Sequence, residues 1–318
     1  MATELEFEKP ITELKTKVEE LRTFMRQSGI DLSHEVEKLE NRLAGLQKSV
    51  YEDLTPWQRV QLARQPGRPT TLDYIKGICS EFVELHGDRG FRDDPSVVGG
   101  IGLIDGKPVT VIGTQKGHDT KENIYRNFGS AHPEGYRKAL RLMKQAEKFG
   151  RPVVFFIDTQ GAWSGMAAEE RGISEAIAEC LREMATLRVP TVSVVTGEGG
   201  SGGAIGLGLT DRILMMQYAW YCVITPEAAA AILEKDSTKA PLMAERMRMT
   251  AEDVYALGII DGIVPEPKEG AHKDPQVAIE AAKSRIVGEL QELSKVTIAN
   301  LLHQRYHKFR VIGSFLEG

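Results

Sequence analysis

The chain has 318 residues, of which 42% are hydrophobic and 27% charged, and its formal net charge is −5. That length and composition fit one large or two smaller α/β domains with a full core, and the acidic balance gives no overall attraction to nucleic acid or an anionic membrane. The three cysteines, Cys79, Cys180 and Cys222, are far apart and form no C-x-x-C or Cys/His cluster, so neither a disulfide framework nor a metal site is expected in this chain.

In chain order, the first six residues, Met1 to Glu6, are acidic and lack an apolar core, which argues against a secretory signal. No run approaches the ~18 apolar residues of a membrane span, and a reducing cytoplasm is the expected compartment. Ile11, Leu14, Val18, Leu21 and Met25, then Val36, Leu39, Leu43, Leu46 and Val50, form two heptad-like stripes. They predict a helical hairpin broken at Ser28 to Asp31, with Ser33 capping the second helix. Such narrow stripes must pack on the rest of the chain or on another subunit. Thr55-Pro56-Trp57 predicts a capped short helix to Arg64, and Leu72, Ile75, Cys79, Phe82 and Val83 mark the inner face of another.

At Val97 the period changes, and Val97 to Ile104, Asp105-Gly106 and Pro108 to Ile112 read as a β-hairpin. Thr114 to Gly135 is a long polar segment carrying Lys116, His118, Lys121, Arg126 and His132, of a length usually functional or disordered. The next helix, Pro133 to Phe149, is expected to bury Leu140, Met143, Ala146 and Phe149 and to turn Arg137, Lys138, Arg141 and Lys144 to solvent. Two similar strand-loop-helix units come next. The first is Val153 to Asp158, the loop Thr159-Gln160-Gly161-Ala162-Trp163-Ser164-Gly165, and a helix from Glu169 to Leu187; the second begins at Thr191. A third strand over Arg212 to Met216 leads to Trp220 through Glu227 and a helix ending at Leu233. Such repetition predicts a stacked spiral in which each unit buries its face on the next. Asp274-Pro275 opens a long helix with Ile279, Ala282, Ile286, Leu290 and Leu293 inward. The last helix, Ile298 to Phe309, carries Arg305, His307, Lys308 and Arg310 on an expected surface.

The chemistry concentrates in the second unit. Its start, Thr191 to Thr196, is short and β-branched and reads as a buried strand. Gly197-Glu198-Gly199-Gly200-Ser201-Gly202-Gly203 comes next, and Ala204 to Leu209 is expected to run on as a helix. Glycines at such a turn let a ligand approach the backbone and leave the first helical N–H groups unpaired, which suits phosphate or a transient oxyanion. Three motif readings compete. G-x-G-x-x-G over Gly197 to Gly202 would bind a dinucleotide, but no acid appears after the next strand before Glu227. G-x-S-x-G over Gly199 to Gly203 would make Ser201 a nucleophile, with Asp261 and His272 as its downstream partners. In the third reading Gly202 and Gly203 donate backbone N–H bonds to an oxyanion and there is no nucleophile. The bland alternative is a turn that merely lets a helix pack closely on a sheet.

Other segments join this glycine run in order: Lys116-Gly117, Arg126-Asn127-Phe128-Gly129, Pro133 through Met143, Ala168-Glu169-Glu170-Arg171-Gly172 and Pro265-Glu266-Pro267. With these motifs nearly the whole chain, hairpin included, resembles the carboxyltransferase alpha subunits of bacterial acetyl-CoA carboxylase. The resemblance implies an α/β fold, a crotonase-like (ClpP/crotonase) spiral of ββα units with an N-terminal helical hairpin. It divides the chain into the hairpin (1–54), a crotonase-like carboxyltransferase domain (55–296) and a C-terminal helix and tail (297–318). The implied activity is transfer of the carboxyl group from carboxybiotin, on the biotin carboxyl carrier protein, to acetyl-CoA. The product is malonyl-CoA, and the step is the first committed one of fatty acid biosynthesis. The implied partners are a zinc-bearing beta subunit, in an α2β2 heterotetramer, and biotin carboxylase, in an ATP-dependent complex. No metal in this chain, no membrane and no nucleic acid are implied.

By the same resemblance the N–H groups of Gly202 and Gly203 serve the biotin ureido oxygen, and Gly161, Ala162, Trp163, Gly165 and Ser201 line the carboxybiotin pocket. The beta subunit supplies the matching hole for the thioester and most of the CoA site. A site built of backbone donors needs no histidine, cysteine or carboxylate base, and none is expected beside the glycine turn. The family usually has Thr-Pro or Thr-Lys, then Gly-Ala-Tyr-Pro-Gly; this chain departs at Gln160, Trp163 and Ser164, and has Glu234 in place of a tryptophan. These departures leave the acyl-CoA preference open. The alternatives are a carboxyltransferase or decarboxylase subunit for another acyl-CoA, and a non-catalytic scaffold for a beta-like partner.

Overall fold

The computed structural model describes residues 5–313. The N-terminal stripes form two helices, α1 (Lys9–Ser28) and α2 (Ser33–Glu52), and α1 ends at Gly29, whose φ of 71° is left-handed. Ser33 does not cap α2: Leu32 holds that position, and Asp31 accepts from the Ser33 N–H at 3.0 Å. Leu5, Ile11, Tyr51 and Leu54 pack with Leu62 and Tyr218, while Lys15 and Gln47 both reach Glu269, so the hairpin base is seated on its own chain. α3 (Pro56–Ala63) carries the expected cap, a box between Thr55 and Gln58. α4 (Thr71–Ile78) stops before the spacing predicts, because Phe82–Glu84 is a strand, β1, with Val83 exposed rather than inward.

β1 pairs antiparallel with β2 (Val97–Ile104), which turns at Asp105-Gly106, at φ 47° and 74°, into β3 (Lys107–Thr114). The long polar segment is ordered as α5 (Thr120–Tyr125) and a 3-10 turn at Asn127–Gly129. α6 (Pro133–Lys148) packs through Tyr136, Ala139, Leu142, Met143 and Ala146. Phe149 lies beyond its end and is exposed, whereas Lys138 is buried, donating to Asp93 at 2.6 Å and the Asp94 carbonyl at 2.8 Å. A buried ammonium persists only with such partners.

β4 (Val153–Thr159) and β5 (Thr191–Gly200) are buried along their whole length and run parallel, as continuous apolar runs in a central sheet should. The helix expected between them is two, α7 (Met166–Glu170) and α8 (Ile173–Thr186), parted by Gly172 at φ 74°. After β5 come α9 (Ser201–Ile205), β6 (Arg212–Met216), β7 (Trp220–Cys222), α10 (Pro226–Leu233), α11 (Ala240–Arg246), α12 (Ala251–Ala256) and β8 (Gly262–Val264). The strand order is β1-β2-β3-β4-β5-β6-β8, and β7 leaves that path to pair with the end of β5. β5 thus meets β6 through Val192 to Val195 and β7 through Glu198 to Gly200, so the strand pairs with two different partners along its length. α13 (Pro275–Leu293), capped by Asp274, buries Ile279, Ala282, Ile286 and Leu293 as expected. α14 (Ile298–Arg310) is not simply surface. Its Arg305 is buried on Asp211 and three backbone carbonyls, and Lys308 reaches Asp261.

Candidate active site

The site grows from an irregularity between β4 and β5. Ile157 pairs with Val195 and Thr159 with Gly199, so β5 takes twice as many steps as β4 and bulges over Thr196 to Glu198. A bulge bends a strand and re-aims the residues beyond it. Asp158 fills this one: its Oδ1 accepts from the Glu198 N–H at 2.8 Å and from Lys116 Nζ at 2.7 Å. A Cβ on Gly197 would lie 2.6 Å from that oxygen, which is why only glycine fits there. Lys116 also donates to Glu198 Oε2 at 2.7 Å, and Glu198 Oε1 accepts from Arg64 Nε at 2.7 Å. Arg64 continues to Glu227, and Arg68, paired with Glu266, donates to the Thr196 carbonyl at 2.7 Å.

Burial alone would push the Glu198 carboxyl up, but Lys116 and Arg64 outweigh it and hold the group below its ordinary range. Burial would lower Lys116, and Asp158 and Glu198 raise it instead. Glu198 and Lys116 are therefore ionised at neutral pH. Two carboxylates do stand beside the glycine turn, contrary to expectation, yet both are neutralised and neither is free as a base. A cavity of about 470 Å³ opens next to them, walled in part by Arg64, Arg68, Lys116, His118 and Gln160.

The turn itself differs from the sequence reading in its boundaries. β5 runs on through Gly200, and α9 is a single turn from Ser201 to Ile205, not a helix over Ala204 to Leu209. Ser201 sits at φ 53°, a left-handed conformation costing a side-chain-bearing residue about 1–2 kcal/mol. Gly200 and Gly203 meet the loop after β4 backbone to backbone. A Cβ on Gly200 would lie 2.0 Å from the Gln160 carbonyl oxygen, and one on Gly203 would lie 2.6 Å from both Ala162 N and Gly161 C. A Cβ on Gly161 would stand 3.5 Å from that of Ser201. Thr159 Oγ1 braces the same loop, accepting from Gly161 N at 3.1 Å and donating to its carbonyl at 2.9 Å.

The structure thus brings Gly161, Ala162, Ser201 and Gly203 into one seam, with Gly202 beside it in the same turn. Trp163 and Gly165 form the outer rim: the Trp163 N–H donates to the Ala131 carbonyl at 2.9 Å, and a Cβ on Gly165 would lie 2.5 Å from the indole nitrogen. Gly202 and Gly203 occupy the first turn of α9, where N–H groups have no carbonyl one turn earlier in the helix.

The competing motif readings fail on geometry. Ser201 has the backbone of a nucleophile elbow, but Asp261 accepts from the Ile213 N–H at 2.6 Å and from Lys308, and His272 packs against Gly270. Neither hydrogen-bonds Ser201. Glu227, the acid nearest to the dinucleotide pattern, is engaged by Arg64. The packing alternative is right in part, because Gly203 is needed for the loops to touch at all. Of the departures from the family pattern, Glu234 is on the surface, paired with Lys239 at 3.0 Å and Arg246 at 2.9 Å. The residues sequence reasoning missed are Lys116, Asp158, Glu198 and Arg64. A signal existed: acids at the end of Val153 to Ile157 and inside the glycine run fall in strands buried on both faces, where a carboxylate needs a cation.

Among the described residues no group of three His, Cys, Asp or Glu side chains gathers as for a metal ion, and no helix is long and apolar enough to cross a membrane. Compared with known proteins, the chain matches the family described as "Acetyl co-enzyme A carboxylase carboxyltransferase-like" over residues 4–313. It is 56% identical over 313 residues to the acetyl-coenzyme A carboxylase carboxyl transferase subunit alpha of Staphylococcus saprophyticus, spanning 98% of this chain and 100% of that one. The protein of the same name from Halalkalibacterium halodurans is 58% identical over 315 residues, spanning 99% and 97%. Among solved structures it is similar to transcarboxylase 12S (TM-score 0.58, 17% identity, 72% of this chain and 42% of that one). A Pseudomonas malonate decarboxylase hetero-tetramer is equally similar (TM-score 0.58, 17% identity, 74% and 92%). At such identity the structural likeness shows the fold alone, the crotonase-like spiral. The near full-length matches show more: the chain belongs to the family of acetyl-CoA carboxylase carboxyltransferase alpha subunits.

Proposed function

We propose that the chain is the alpha half of an acetyl-CoA carboxyltransferase, moving a carboxyl group from carboxybiotin on a carrier protein to acetyl-CoA and so making malonyl-CoA. The observation that carries this reading is the glycine seam at the carboxyl ends of β4 and β5, beside the first turn of α9. The residues fit a flat ureido ring. Gly161, Gly200, Gly202 and Gly203 place no side chain where the two backbones meet, and the half-exposed Trp163 gives an aromatic wall at the rim. Biotin, when bound, supplies the activated carboxyl group and a ureido oxygen that gathers negative charge.

In this reading the Gly202 and Gly203 N–H groups hold that oxygen, each donor contributing roughly 3–4 kcal/mol where such donors have been removed. Gly161, Ala162 and Ser201 shape the pocket, and Trp163 with Gly165 closes its outer edge. Ser201 shapes the turn and attacks nothing, since no base among the described residues hydrogen-bonds it. Asp158 and Glu198 are held by Lys116 and are not free to take the acetyl proton.

The exposed apolar side chains on elements flanking the seam, Tyr125, Phe128, Met166 and Ile205, support a second subunit covering it. That subunit is a zinc-bearing beta chain, which completes the site with the thioester hole and most of the CoA contacts. The assembly is α2β2 and works with the biotin carrier protein and biotin carboxylase in the cytoplasm. The test is to supply carboxybiotin carrier and acetyl-, propionyl- or glutaconyl-CoA to the purified chain, alone and with its beta partner. Malonyl-CoA is expected only with both chains. Formation by the isolated chain would refute the shared site, preference for another acyl-CoA would favour a relative of different substrate, and inactivity of the pair on all three would leave a scaffold.

A further inference from the structure

We propose that Lys116 is a positioning residue for this reaction. Its ammonium clamps the ends of β4 and β5 in the offset that sets the Gly161–Ala162 loop against the Gly202–Gly203 turn. The proposal rests on the carboxyltransferase reading of the glycine seam.

Three elements converge on the one nitrogen. Lys116 lies just after β3 and reaches Asp158 at the end of β4 and Glu198 at the end of β5, at 2.7 Å in both cases. The Asp158 oxygen it holds is the one that accepts the Glu198 N–H at 2.8 Å, so the ammonium is coupled to the backbone of β5 within its bulge. Beyond Glu198 the chain reads Gly199-Gly200-Ser201-Gly202-Gly203, with a single short side chain to hold it by packing. The Gly202 and Gly203 N–H groups are therefore placed by backbone alone, through the β7 pairing of Glu198 to Gly200 and the contact of Gly200 with Gln160, and the side-chain anchor at Glu198 sets the frame from which that stretch starts. The 3-10 turn at Asn127–Gly129 also lies close to this cluster: a Cβ on Gly129 would lie 3.2 Å from Lys116 Cγ and 2.8 Å from the Asp158 carbonyl.

Without the ammonium, two buried carboxylates would face each other across the bulge. Arg64, on the far oxygen of Glu198, and the Arg68 guanidinium, already paired with Glu266, would remain as partial compensation. Repulsion between two such largely buried groups would open the bulge and move the turn. A shift of about 1 Å in a reacting group costs on the order of a hundredfold in rate.

The experiment uses the assembled alpha–beta complex with carboxybiotin carrier and acetyl-CoA, and compares the wild type with K116M, K116R and K116M/E198Q. K116M is expected to lower kcat by about tenfold to a hundredfold with KM for acetyl-CoA within about threefold. Amide hydrogen exchange over Glu198 to Gly203 should quicken in the same variant. K116R, which keeps the charge, should stay closer to wild type than K116M. K116M/E198Q, which removes one of the two carboxylates, should regain most of the lost rate and protection. If K116M does not assemble, the double variant carries the test, because its charge is balanced. Wild-type kcat in K116M, a slow K116M with unchanged exchange, or a double variant no better than K116M would each overturn the proposal. A wild-type complex that makes no malonyl-CoA would sink the carboxyltransferase reading instead, and the exchange measurement would still decide the clamp.

Discussion

Two buried charge clusters sit at opposite ends of the central strands, and they are built on opposite principles. At the start of β5, Arg305 and Asp211 are 1% and 3% exposed at their side chains. Arg305 donates from Nε and Nη2 to Asp211, both at 2.8 Å, and otherwise to the carbonyls of Met184, Leu187 and Val189. Asp211 in turn accepts from the Thr191 N–H and hydroxyl, both at 2.8 Å. Nothing is left over for a ligand. At the other end of β5, Lys116, Asp158, Glu198 and Arg64 are also paired, but they border a cavity of about 470 Å³ and sit in a bulge beside a left-handed serine. A cavity of about 540 Å³ does open toward the strand starts, but Ile104, Val109, Val189, Leu290 and Leu301 make its walls largely apolar. Burial and pairing alone thus do not single out a candidate site; here the pairing lies next to strain and open space.

The largest break in this contrast should come from R305M. It strands the Asp211 carboxylate in a dry core, and removing one partner of such a pair costs about 3–5 kcal/mol. The denaturation midpoint should fall sharply, while turnover per folded complex stays at the wild-type value. A loss of turnover without loss of stability would make the two clusters alike.

An intermediate effect separates neighbouring glycines. G203A places a Cβ 2.6 Å from Ala162 N and should cost stability, about 1–3 kcal/mol as for overpacking, together with kcat. G202A meets Ile177 Cδ1 at 3.4 Å and should hold its stability within about 1 kcal/mol. Equal melting temperatures for the two variants would contradict the seam.

The last effect is a pH slope at His272, outside both clusters. Burial, with Lys273 and Arg68 nearby, pushes its pKa down from 6.5 to about 4, and its Nδ1 is buried without a partner. The unfolded chain takes the proton first as pH falls. Its contribution to stability is therefore complete above about pH 6.5 and is lost as pH falls toward 4. H272Q should flatten that part of a stability-against-pH curve, read from denaturation midpoints, and an unchanged slope would assign the loss to other groups.

Much of the fold was legible because its signals are local. The hairpin turn at Asp105-Gly106, the Thr55 box and the apolar runs of β4 and β5 each fix an element within a few residues. What failed was set by distant partners. Lys138 and Arg305 read as solvated faces because their acids, Asp93 and Asp211, lie on other elements. Phe82 kept the helical spacing of α4, but β2 offered it a strand partner. In the site, the glycine run announced itself, whereas the charges beneath it are scattered over Arg64, Lys116, Asp158 and Glu198 and meet only in space.

The branching of β5 has a consequence for how such a chain tolerates changes of length. Val192 to Val195 keep step with β6, Glu198 to Gly200 keep step with β7, and Thr196-Gly197 joins the two frames. Side chains alternate faces along a strand, so one residue inserted at this joint would turn Glu198 away from Lys116 while leaving the core half of β5 in place. The product would keep the frame of its central sheet while its glycine turn is displaced and its buried carboxylates lose their cation, so on the reading above turnover should fall further than the melting temperature.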